Sequence, residues 1–104
     1  LFVEDLLEAM LLAGLVEAAV GEIINIGSGE SVCIADVAAL AGALTGSRGL
    51  IRYGSVPYRP GETMSYAMCI DKARRVLGWN PSCSLEEGLL RTVRFYSNGP
   101  DDEA

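Results

Sequence analysis

The sequence predicts a small α/β domain of about four helices and two or three short strands. Three observations carry that class. Apolar residues recur at helical spacing in four stretches, two short apolar runs end in glycine-bearing turns, and Gly14 and Gly78 stand where helical patterns stop. At 104 residues the chain has room for one domain at most.

Residues 2–13 place acids in the first turn, where the helix dipole favours them, and Leu6, Leu7, Met10 and Leu11 form an apolar stripe. Gly14 reads as the stop. After a connector, "EIINIGSGE" reads as a short buried strand that ends in a Gly-Ser-Gly turn. Residues 34–45 form the second helix, with Ile34, Val37, Ala38, Ala41 and Leu44 on one face and Asp36 three positions after Cys33. "GLIRYGSV" reads as a second strand.

Arg59-Pro60-Gly61-Glu62 suits a type II turn, because proline presets φ at the second position and glycine supplies the positive φ of the third. Asp71 then caps a short helix that Gly78 ends, and Ser84-Leu-Glu-Glu is a capping box for the last helix. That helix turns Leu85, Leu89, Val93 and Tyr96 inward, and residues 99–104 form a frayed acidic tail.

The net charge of −6 is unevenly spread. Residues 1–47 carry seven acids and no base, and all eight bases lie from Arg48 to Arg94. An acidic chain is a poor general nucleic-acid binder, since phosphate contacts supply most of that affinity. A local basic face suits a small phosphorylated ligand or a solvated helix surface equally. Half the residues are apolar or aromatic and 12 more are glycine, a share above that of ordinary soluble chains. Apolar surface covered by a partner and an Ala- and Gly-rich core both account for it.

With no histidine and three cysteines outside any CxxC spacing, a zinc site and a Ser-His-Asp or Cys-His nucleophile have no basis within the chain. Reduced thiols point to the cytoplasm. The run near "AMLLAGLV" is too short to span a bilayer, and no basic signal-peptide region precedes it. The chain opens on Leu1 rather than Met, which fits a piece of a longer protein.

Two stretches could carry chemistry. A guanidinium at Arg59 can grip phosphate oxygens in a bidentate fork, and a carboxylate at Glu62 can accept from vicinal ribose hydroxyls. The same four residues also read as a solvated surface turn. "NIGSGE" could offer backbone N–H groups to an anion or simply make a tight connection, and it matches neither GxGxxG nor GxxxxGK[ST]. Tyr66 and Lys72 are not at Tyr-xxx-Lys spacing, and no general base is visible.

The order "FVEDLLEAM", "INIGSGESVCIADVAAL", "RPGETMSYAMCIDKARRVLGWNP", "SLEEGLLRTVRFY" resembles the C-terminal substrate-binding region of extended short-chain dehydrogenase/reductases, the NAD-dependent epimerase/dehydratase family. The third block looks most like that of the dTDP-glucose 4,6-dehydratase and UDP-sugar epimerase types. The resemblance implies that residues 1–98 bind a dTDP-, UDP- or GDP-linked sugar, with Arg59 on the diphosphate and Glu62 at the ribose. It implies an α/β C-terminal domain with no Rossmann fold in this chain and no catalytic residue. NAD(P) and the Tyr-xxx-Lys pair would belong to an N-terminal Rossmann domain, so the chain would be inactive alone. A free-standing binding or assembly module derived from that domain, possibly dimeric, is the alternative. The sequence departs from the family pattern at Cys33, Glu62 and Cys69, where a Ser or Thr, an Asp or His, and an Asp are usual.

Overall fold

A computed structural model describes residues 1–98. The described residues form four α-helices, α1 (Val3–Leu15), α2 (Ile34–Thr45), α3 (Asp71–Leu77) and α4 (Leu85–Asn98), with single 3₁₀ turns at Glu17–Ala19 and Arg48–Leu50. None of the described residues is in a strand, so the α/β class expected from the sequence is wrong. The tail at 99–104 lies outside the described residues.

The two expected strands fail for a common reason. Ile24 and Ile26 do turn toward the core while Ile23 and Asn25 face outward, the alternation of an extended segment. A strand also needs a neighbour for its N–H and C=O groups, and no described segment ladders with it. "GLIRYGSV" instead enters the Arg48–Leu50 turn and then an exposed stretch.

The chain divides into two compact units. The first comprises residues 1–31 and 67–85. Its core is Ala9 from α1, Ile70, Ala73 and Leu77 around α3, and Trp79 just beyond α3. Leu12, Val16, Ala19, Ile24, Ile26, Met68 and Val76 pack around these. Helix α1 runs through Gly14 rather than stopping there, and Val16 ends it by donating its N–H to Leu12 O at 2.8 Å. Helix α3 does stop at Gly78, whose φ of 64° places its N–H on Arg74 O at 3.1 Å. That turn sends Trp79 into the core.

Asp5 ties this unit together. Its carboxylate is 3% exposed and accepts from Ser82 N–H at 3.0 Å, Ser82 Oγ–H at 2.7 Å and Cys83 N–H at 3.0 Å. Trp79 Nε1–H donates to the Asp5 carbonyl at 3.1 Å. Burial alone would raise the carboxyl pKa, but the three donors outweigh it and hold the group below its usual value. Asp5, one of the first-turn acids that the helix dipole favours, thus does more than complement the dipole.

In the same unit the extended segment at 22–29 runs close to residues 68–72. A Cβ on Gly27 would stand 2.8 Å from Met68 Cβ, so only glycine allows this approach. Lys72 and Glu22 form an ion pair beside it.

The second unit comprises residues 32–66 and the chain from Glu86 onward. Helix α2 keeps the predicted boundaries and ends at Gly46, with φ 70°. Its Gly42 is buried against Ile51 and Arg48. Helix α4 begins immediately after Ser84, as the capping box implies. Its expected inward face is only partly inward: Gly88 is buried and Leu89 and Val93 half-buried, while Tyr96 is exposed and meets Phe95 edge-on at 5.3 Å.

Candidate functional site

The Arg59–Glu62 turn has the geometry its sequence dictates. Glu62 N–H donates to Arg59 C=O at 3.1 Å, and Gly61 has φ 78°, the positive value that the third position of a type II turn requires. The Glu62 side chain then folds back, and its Oε2 accepts from the Arg59 backbone N–H at 2.9 Å. The two residues are thus brought together through backbone, not through an ion pair. The Arg59 guanidinium pairs with no described acid. Every residue from Arg52 to Ala67 is exposed, so this fork faces solvent with its donors available.

A concavity lies wholly within the first unit. An open cleft of about 400 Å³ is bounded by Ser28, Glu30, Cys69, Asp71 and Arg74, among others. Its one cation is already engaged: Arg74 Nε–H donates to Asn80 Oδ1 at 2.6 Å and Nη1–H to Asp71 Oδ1 at 3.4 Å. Asp71, expected as the cap of α3, therefore uses its carboxylate on Arg74 and on the Cys69 thiol at 3.6 Å, and makes no cap bond.

The Gly-Ser-Gly turn at this cleft is closed on itself. Ser28 Oγ accepts from Glu30 N–H at 3.3 Å, which removes a backbone donor that an anion would need. The tight-connection reading of "NIGSGE" therefore fits better than the phosphate-loop reading. No group of three potential metal ligands occurs among the described residues.

Comparison with known proteins adds what geometry cannot. The chain is 30% identical over 103 residues to UDP-glucuronic acid decarboxylase 1 of Danio rerio, covering 99% of this chain and 24% of that protein. It is 34% identical over 98 residues to UDP-glucose 4-epimerase of Mycolicibacterium smegmatis, covering 93% and 30%. It is 36% identical over 106 residues to dTDP-glucose 4,6-dehydratase of Neisseria meningitidis serogroup B, covering 92% and 30%. No protein-family model matches the chain, and no solved structure does so significantly.

These relatives define a class of proteins named for nucleotide-linked sugars. Within that class, the chain is similar over nearly its whole length to one part of proteins of the NAD-dependent epimerase/dehydratase family. It spans about a quarter to a third of the length of these relatives, at 24% and 30%.

Proposed function

We propose that residues 1–98 are the substrate-binding portion of a nucleotide-sugar epimerase or dehydratase, binding the nucleoside diphosphate of the sugar donor and not catalytic alone. The observation that carries this reading is the Arg59 guanidinium, displayed on a hydrogen-bonded turn with no described acid to neutralise it. It grips diphosphate oxygens, and Glu62, which has a second carboxylate oxygen beyond the one on the turn, accepts from a ribose hydroxyl. The names of the relatives, which carry UDP- and dTDP-linked sugars, support that ligand class. So does the name of a protein of Oryza sativa subsp. japonica, "Putative GDP-L-fucose synthase 2", 33% identical over 95 residues.

The NAD(P) that the family name implies does not fit the described residues of this chain. Its usual cradle is a glycine turn after a strand, whereas the Gly27–Gly29 turn follows no strand and is closed by Ser28. The cofactor belongs, in this reading, to an N-terminal Rossmann domain of the parent protein. No described helix is long and apolar enough to cross a membrane, and the three cysteines are unbridged, which supports a cytoplasmic setting.

The test is a thermal-shift panel of dTDP, UDP and GDP, each with and without sugar. A shift with at least one nucleotide supports the reading, and silence with all of them overturns it.

A second reading rests on a different observation. Leu11, Leu15, Val20 and Ile23 are between 68% and 86% exposed in the first unit. So much open apolar surface favours an assembly module that self-associates or docks on another domain. Sedimentation decides it: a strictly monomeric, dye-silent chain contradicts this reading.

A further inference from the structure

Resting on the nucleotide-binding reading above, we propose that Glu62 is a positioning residue for Arg59 as well as a contact for ribose hydroxyls. Both sides of the Arg59 Cα are pinned by the same residue. The Arg59 carbonyl accepts from Glu62 N–H at 3.1 Å, and the Arg59 N–H donates to Glu62 Oε2 at 2.9 Å. Pro60 and Gly61 preset the middle of the turn, and Pro60 biases Arg59 toward extended backbone without fixing its φ. The Arg59 N–H bond to the Glu62 carboxylate narrows it further.

Residues 52–67 are exposed throughout, so no buried packing aims this arginine, and the Ser55 Oγ–H bond to Arg52 O at 3.2 Å is equally local. With φ and ψ of Arg59 held, the guanidinium fork starts from a fixed Cα, and binding an anion costs only the freedom of the side chain.

Electrostatics supplies the means to separate positioning from mere proximity. A carboxylate beside an anion site repels the phosphate, so on charge alone its removal tightens binding. On positioning, its removal weakens binding. The two effects have opposite signs.

The experiment measures the affinity of the full chain for UDP and for inorganic pyrophosphate by calorimetry, in the wild type, Glu62→Ala and Glu62→Gln. Pyrophosphate has no ribose, so a loss there is not a lost ribose contact. Glu62→Ala weakens pyrophosphate binding by about three- to tenfold, the worth of one hydrogen bond. Glu62→Gln keeps the acceptor without the charge and binds pyrophosphate at least as well as the wild type. Unfolding temperatures stay level, because the turn is exposed. If Glu62→Ala binds pyrophosphate as tightly as the wild type or more so, the positioning role is overturned. A wild type that binds UDP but not pyrophosphate overturns it too, and leaves nucleotide binding standing. A wild type that binds neither overturns both.

Discussion

One carboxylate oxygen of Asp5 accepts two hydrogen bonds from Ser82, from its N–H at 3.0 Å and its hydroxyl at 2.7 Å, across 77 positions of sequence. The other oxygen takes Cys83 N–H at 3.0 Å. The first turn of α1 is thereby fastened to the chain that leads into α4. The amide isostere asparagine cannot reproduce this, because each carboxylate oxygen accepts from a backbone N–H.

Asp5→Asn therefore sets an amide NH₂ against a backbone N–H in a buried place. The expected loss is about 2–3 kcal/mol, from a charge-assisted bond removed and a donor left unsatisfied. Urea unfolding followed by tryptophan emission reads it directly, since Trp79 is buried beside Asp5. A variant as stable as the wild type removes the latch from the account.

The same contact makes stability pH-dependent with a definite sign. The folded carboxyl titrates below its ordinary value of 3.8, because Ser82 and Cys83 together outweigh its burial. A depressed pKa stabilises the folded state in full above the unfolded value and loses that contribution as pH falls through the folded one. The gap between wild type and Asp5→Asn should be flat from pH 7 to about 5 and narrow below about 4. A gap that widens in acid contradicts the assignment. Glu22, held down by Lys72, acts in the same direction, but this pair is exposed and its contribution fades with salt.

Two glycine substitutions should move stability in opposite directions. Gly14 lies within α1 with nothing within 4 Å of an added Cβ, so Gly14→Ala gains about 0.5–1 kcal/mol from helix propensity. Gly27 faces Met68 Cβ at 2.8 Å, so Gly27→Ala forces the two segments apart and costs about 1–3 kcal/mol. Thermal unfolding of both variants checks the pair.

The sequence made the helices readable because each carries its own local signal. Apolar spacing located α2 to the residue, Gly78 marked the end of α3, and Pro60-Gly61 announced the turn. The strands misled because a short apolar run records burial, not pairing: Ile24 and Ile26 do face the core, yet no described neighbour completes a ladder. Gly14 misled because a glycine ends a helix only where the chain adopts positive φ, and Gly14 does not. Asp5 was invisible as a structural residue, since its partners at Ser82 and Cys83 are fixed only by the folded chain. At the candidate site, the proximity of Arg59 and Glu62 was legible, but the direction in which the carboxylate turns was not.

The central claim is that Arg59 holds the diphosphate of a nucleotide-linked sugar. Titrating UDP or dTDP into the wild type and Arg59→Ala by calorimetry tests it most directly. The account predicts that Arg59→Ala loses about 1.5–3 kcal/mol of binding free energy, the worth of a charge-assisted contact, with an unchanged unfolding temperature. Equal affinity of the two proteins for the nucleotide would contradict it.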